Sequence, residues 1–498
     1  MDWNELYNLG LGLFEKATAF FDEALEMKPD PEACYNQGVA LGNSGKFQEE
    51  LASYDKALKI KPDYHQAWSD RGGALGNLGR LEEAIASFDK ALEIQPSYHG
   101  AWFNRGTALL YLGRTEAAIA SFDKALEFKA DDYSAWSNRG VSLYNLGRFE
   151  EAVASYDKAL EFKPNFDYAW SNRGNAMNSL GLFEEAIASC DKAVEFKPNY
   201  YEAWFNRGNA LLYLRRFEAA IASYDKALGI KPDYHEAWGN RGNALGNLGR
   251  WEEAIASYDK ALEFKPDSHE SWNNRGNALG ILGRWEEALA SCDKALETKP
   301  DFHEAWTNRG YALGILGRWE EALASYDKAL ETKPDFHEAW TNRGYALGIL
   351  GRWEEATADY DKALEIKPDF HEAWYNRGSA MYKLGRFEEA IADYEKALEI
   401  KPDSYEAWNN RGIALANLGR WEEAIADYDK ALEIKPDYDE AFYNKACCYA
   451  LQSQIDQAIQ NLQQAINLNP DKYREMAKTD SNFDSIRSHP QFQTLIQG

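Results

Sequence analysis

Along most of the chain, small and apolar residues fall into two alternating stripes with helical spacing. The segment HEAWGNRGNALGNLGRWEEAIASYDKALEFKPDS, starting at His235, shows both. At about 100° per residue, Trp238, Arg241, Gly242, Ala244, Leu245 and Leu248 share one sector of a first helix. Glu236, Gly239, Asn240, Asn243, Gly246 and Asn247 fall opposite. In a second helix Trp251, Ala254, Ile255, Tyr258, Ala261 and Leu262 form the apolar sector, backed by Glu252, Glu253, Asp259, Lys260 and Glu263. Gly249 suits the end of the first helix, and Pro266 stops the second. Gly242, within the packed sector, lets a neighbouring helix approach closely.

This 34-residue pattern recurs without a break. Trp68, Trp102, Trp136, Trp170, Trp204, Trp238, Trp272, Trp306, Trp340, Trp374 and Trp408 are evenly spaced, with Cys34 and Phe442 extending the series. The reading is thirteen repeats over residues 31–472: 31–64, 65–98, 99–132, 133–166, 167–200, 201–234, 235–268, 269–302, 303–336, 337–370, 371–404, 405–438 and 439–472. Residues 1–30 hold a partial repeat that keeps KATAFFDEALEMKPD, and 473–498 form a C-terminal cap in which Phe483, Ile486, Phe492 and Leu495 cover the last hairpin. A hairpin of this size cannot bury its apolar face alone, so neighbours stack to form one continuous core. Positions within a repeat are numbered from 1, at residues 31, 65 and so on.

Composition then removes several functions. Lys and Arg number 55 and Asp and Glu 81, giving a net charge of −26. The excess is repetitive, about −2 per repeat, and belongs to solvated helix surface. It argues against tracking nucleic-acid phosphate or docking on anionic lipid. No apolar run reaches the roughly 18 residues of a membrane helix. Met1 to Phe20 lacks the pattern of a secretory signal. Five cysteines do not make a disulfide scaffold. A cytoplasmic protein is expected.

Trp at position 4, Gly at 8, Leu at 11, Ala at 20, Tyr or Phe at 24, Ala at 27 and Pro at 32 resemble the tetratricopeptide repeat, and the phrasing is similar to long tandem arrays common in cyanobacteria. The departures are Arg at position 7, Glu50 for Ala, Ala130 for Pro, Arg215 for Gly, and Ala446 with Leu462 in the last repeat. The resemblance implies an all-α fold: a right-handed superhelical solenoid of antiparallel helix pairs whose first helices line a concave groove. It implies protein–protein interaction rather than catalysis.

Position 6 is the leading candidate. It reads Asn36, Asp70, Asn104, Asn138, Asn172, Asn206, Asn240, Asn274, Asn308, Asn342, Asn376, Asn410 and Asn444, while position 5 beside it varies. Asn costs about 0.5 kcal/mol relative to Ala in a helix, so the row needs an offsetting gain. Its amide suits bidentate bonding to a peptide backbone. The row is similar to the asparagine ladder in the superhelical repeat domain of O-GlcNAc transferases, which holds an extended peptide by its main chain. The alternative is that each Asn bonds a neighbouring repeat. Position 2 supplies Glu236, Glu270, Glu304 and Glu338, which favour neutral or basic segments and repel a terminal carboxylate. Phe103, Tyr111, Tyr144, Phe205, Tyr213, Tyr311, Tyr345, Tyr375 and Tyr382 are anchor candidates on the same sector, and the Trp residues at positions 4 and 17 are assigned to the core. One His per repeat at position 1 does not converge on a metal. No cofactor, metal or catalytic residue is expected, and no phosphate loop or nucleophile motif occurs.

The resulting expectation is a non-enzymatic scaffold that binds extended peptides or other proteins in its groove, monomeric or self-associating. The alternative is a regulatory or substrate-recruiting subunit, glycosyltransferase-like or an assembly factor, whose catalytic part is a separate chain.

Overall fold

The computed structural model describes residues 16, 18, 20, 21 and 30–497. The partial repeat expected over 1–30 lies almost wholly outside them. Among the described residues the protein is all-helical, with 28 α-helices, one short 3-10 turn and no strand. The chain divides into two compact bodies, Met1–Arg250 and Trp251–Gly498. In each, a first helix of 13 residues, such as His65–Asn77, pairs with a second of 14, such as Leu81–Ile94. The second helix packs in turn on the first helix of the next repeat.

The packing follows from residue size. Within one repeat, Gly140 lies against the ring of Tyr156, and a Cβ added at Gly140 would sit 2.6 Å from Tyr156 Cε1. Ala at positions 3, 10, 20 and 27, Leu at 11 and the aromatic at 24 make the fully buried interior, as with Ala135, Leu143, Ala152, Tyr156 and Ala159. Position 3 therefore joins the packed sector named from sequence. Position 5 is a correction. Ser69, Ser137, Ser171, Thr307, Thr341 and Asn409 are buried, although the angular analysis placed them on an open face. A helix inside an array has partners on both flanks, so its buried arc is wider than that of a helix lying on one core.

The tryptophans also differ from expectation. Those at positions 4 and 17 are half-buried rather than core. At position 4 the indole lies over the junction, where Trp68 Nε1 donates to the Pro62 carbonyl at 2.8 Å and Trp306 Nε1 to that of Pro300 at 2.8 Å.

The turn between the paired helices takes a left-handed residue. Gly249 adopts φ +73° and its counterparts up to +77°. Arg215 holds the same place at φ +59°, a conformation that strains a side-chain-bearing residue. Arg215→Gly is expected to stabilise the body Met1–Arg250 by about 1 kcal/mol, read as a higher urea midpoint. An unchanged or lower midpoint counts against it.

Candidate functional site

The position-6 side chains are half-buried, except for exposed Asn36 and buried Asn206. Their bonding depends on the preceding repeat. Asn308 Nδ2 donates to Asn273 Oδ1 at 3.0 Å, Asn410 Nδ2 to the Tyr375 hydroxyl at 2.9 Å, and Asn444 Nδ2 to Asn409 Oδ1 at 3.1 Å. The partner in all three is position 5 one repeat earlier. Asp70 uses the same geometry in reverse, accepting from the Tyr35 hydroxyl at 2.7 Å. Asn240 follows Phe205, which has no polar atom to offer, and donates instead to Asn209 Oδ1 at 2.9 Å.

Where position 5 is Ser, Thr or Phe, no bond to it is made, and most amides are then left without a junction partner. Asn104, Asn138, Asn342 and Asn376 make no side-chain hydrogen bond among the described residues, and Asn172 Nδ2 is buried without a partner. The row thus contains tied and untied amides. A polar partner in the preceding repeat distinguishes them, at position 5 for Asn308, Asn410 and Asn444 and at position 9 for Asn240.

The position-2 acids lie beside the row. Glu236 and Glu270 are exposed, and Glu304 and Glu338 half-buried. Nδ1 of His235, His303 and His337 approaches the following glutamate to 3.1, 3.1 and 3.0 Å. The His303 and His337 imidazoles pack edge-on against the aromatic that ends their own repeat, Phe336 at 5.0 Å and Phe370 at 4.9 Å between centroids. Burial holds His303 below the usual histidine range despite Glu304. Among the described residues no group of three or more His, Cys, Asp and Glu is placed to hold a metal ion. All five cysteines are buried and free, and burial pushes the Cys190 and Cys292 thiols up to about 12.

The aromatic candidates separate into two kinds. Phe103, Phe205 and Tyr375 turn inward, against Phe122, Tyr224 and Tyr394 respectively. Tyr144 and Tyr382 lean on Phe149 and Phe387 at the start of their second helices. Tyr111, Tyr213, Tyr311 and Tyr345 remain exposed. Tyr213 stacks on Phe183 at 5.0 Å, which leaves one ring face outward, and Tyr311 meets the Trp285 ring in a T-shaped contact at 5.7 Å.

Position 7 was given no role from sequence, yet it joins the repeats. Arg207 Nε donates to Asp191 of the preceding repeat at 2.7 Å, its Nη1 to Ser223 of its own repeat at 2.8 Å, and its guanidinium lies 5.9 Å from the Trp204 ring. Arg71, Arg105, Arg139, Arg173, Arg275 and Arg309 repeat the arrangement. In the three repeats from 337 to 438 Asp replaces the serine, so Arg343 bridges Asp327 and buried Asp359, each at 2.7 Å. Burial raises the Asp359 carboxyl to about 6, against the pull of Arg343. An acid at position 25 of every preceding repeat was the available clue.

A tetratricopeptide repeat family model matches residues 103–165, 138–201, 195–235, 205–269, 240–301 and 375–439. Others of that description match 31–64, 63–131, 303–336, 325–358 and 439–472, and a TPR repeat model matches 349–385. A search of curated proteins finds no match. Among solved structures the chain is similar to YrrB, titled a TPR protein with an unusual peptide-binding site, at 29% identity over 36% of this chain and 93% of that one, TM-score 0.33. The APC/C hetero-tetramer Cut9–Hcn1 aligns at 15% identity over 93% of this chain and 96% of that one, TM-score 0.43. MamA aligns at 25% identity over 32% and 94%, TM-score 0.31. Among the described residues no helix is long and apolar enough to cross a membrane.

Proposed function

The chain belongs to the tetratricopeptide repeat family, and from that we propose that it is a scaffold that acts by binding rather than catalysis, holding extended protein segments along its row of first helices. Proteins of this family are in general non-catalytic scaffolds that bind peptides or other proteins. The observation that carries the finer reading is the half-buried amide row. A carboxamide has two N–H donors and an acceptor oxygen. A junction bond occupies one donor of Asn240, Asn308 and Asn444, fixing the group and leaving capacity for a main chain. Asn104 and Asn138 have their full capacity available, and Asn172 has an unused buried donor. Glu236, Glu270, Glu304 and Glu338 beside the row favour neutral or basic segments.

The test compares two triple variants. Asn104, Asn138 and Asn172 changed together to Ala should keep or slightly raise stability, because Ala is the better helix former. Peptides selected on the unmodified chain from a random dodecapeptide display library should bind this variant more weakly by roughly 1.5–4.5 kcal/mol, three bonds at the usual net value. Asn240, Asn308 and Asn444 changed to Ala should instead lower the melting temperature, since each leaves a junction partner unsatisfied. A first variant that binds the selected peptides like the unmodified chain overturns the reading.

A further inference from the structure

Two departures from the repeat pattern meet in one place. Position 20 is Ala in twelve repeats and Glu50 in the other, and position 6 is Asn in twelve and Asp70 in the other. The repeats are adjacent, and both carboxylates line a cavity of about 300 Å³ with Tyr54, Asn43, Asn77 and Asn104. Among the described residues no Lys, Arg or His is in its lining.

Glu50 is 8% exposed. Its Oε1 accepts from the Tyr54 hydroxyl at 3.2 Å, while Oε2 is buried with no hydrogen-bond partner among the described residues. Gly42 makes room for it, because a Cβ there would sit 2.5 Å from Oε1. A buried carboxylate oxygen without a donor is costly, and a second carboxylate nearby adds to the cost. Desolvation, aided by the field of Asp70 and opposed by the Tyr54 bond, raises the Glu50 carboxyl to about 7. The Asp70 carboxyl is also raised by burial, against the Tyr35 bond. Two carboxylates are too few for a metal cage, and among the described residues no cluster of three ligands occurs. An ammonium or guanidinium needs only charge and acceptors.

We propose that the cavity between repeats 31–64 and 65–98 is a pocket for a cationic side chain, lysine or arginine, of a bound segment, held by Glu50 and Asp70. This rests on the reading of the chain as a peptide-binding scaffold and gives that surface a fixed point of register. Its lining joins Asp70, Asn77 and Asn104 of the first helices, the sector on which the amide row lies, to Phe47, Glu50 and Tyr54 of a second helix.

The pocket carries a signature in stability. The groups acting on Glu50 are Tyr54 on its own helix and Asp70 on the next repeat, and Asp70 in turn accepts from Tyr35. With its folded value above that of the unfolded chain, Glu50 stabilises the fold fully below the ordinary carboxylate range. That contribution is lost as pH rises toward about 7. Glu50→Gln is therefore expected to raise the melting temperature more at pH 8 than at pH 5.5. A pocket kept at the expense of stability is what selection for binding leaves.

The deciding experiment uses the full chain at pH 8 and hydrogen exchange read by mass spectrometry. N-acetyl-lysine methylamide and its arginine counterpart are the probes, and N-acetyl-norleucine methylamide is the uncharged control. Protection is expected in segments 38–54 and 66–78 with one or both cationic probes and not with the control. It should weaken about 10- to 100-fold in the Glu50→Gln, Asp70→Asn variant, which relieves buried charge and so folds. Protection absent from those segments, or equal in the variant, overturns the pocket. Asn138 and Asn172 lie outside the lining, so an Asn138→Ala, Asn172→Ala chain tests the amide row whatever the probes show, and the two readings fail separately.

Discussion

Deletion of residues 473–498 should make the chain self-associate, while deletion of the internal repeat 303–336 should leave a folded chain one repeat shorter with unchanged helicity per residue. Phe483, Ile486, Phe492, Leu495 and Ile496 are buried in one cluster with Ala458, Leu462, Ala465 and Ile466 of the last repeat. Tyr443 stacks on Tyr473 at 4.9 Å and its hydroxyl donates to Asp480 at 2.7 Å. Each large apolar side chain of the cap accounts for about 1.5–3 kcal/mol of gross transfer energy. Without them, the face that every other repeat presents to its successor meets water. Removing 303–336 brings together two repeats whose junction residues are of the same kinds, so no such face opens. Sedimentation velocity and circular dichroism on both chains decide the matter. If the two deletions sediment alike, the cap does not seal the array.

The second large effect lies inside a repeat. Gly140→Ala should destabilise by about 1–2 kcal/mol, the overpacking penalty less the helix propensity gained. The new methyl group would meet the ring of Tyr156, which is 1% exposed. Tyr156→Leu in the same chain should recover much of the loss. The last repeat supplies the precedent, with Ala446 and Leu462 in the equivalent places and both fully buried. A double-mutant cycle by urea denaturation should show a favourable coupling of 1 kcal/mol or more. Additive effects would mean that the glycine serves something other than ring clearance.

These two cases mark what the residues disclose. The spacing of Trp68, Trp102 and their successors gives the period, and Gly242 and Gly249 announce a close helix approach and a left-handed turn. All of these are interactions within one repeat, where sequence distance and spatial distance agree. A single-helix projection says less where a helix has a neighbour on each side. Ala67 and Ser69 were not seen as buried for that reason, and the tryptophan indoles were placed too deep. Arg207 was the larger omission. Its partner Asp191 lies 16 residues back and across a loop, beyond any single-helix projection. Of the candidate site, the asparagine row was plain in the sequence. Which amides are tied was not, because it depends on a side chain 35 residues earlier, such as Asn273 for Asn308.

The arginine clasp bears on how such a gene changes. The repeats 303–336 and 337–370 differ at three positions, Leu323/Thr357, Ser325/Asp359 and Thr332/Ile366. Each altered side chain that bonds does so inside its own repeat: Thr332 with Ala329, Thr357 with Glu354, Asp359 with Arg343. The residue that reaches the next repeat, Asp327 on Arg343, has an unchanged counterpart in Asp361 on Arg377. Every internal repeat thus carries one half of the same fastening at each end. A segment duplicated or lost by unequal recombination arrives with both halves matched, and copy number becomes a heritable variable that no new interface limits. Drift is then free at private contacts and checked at shared ones, so the oldest boundaries in the gene should be legible from the residues that never changed hands.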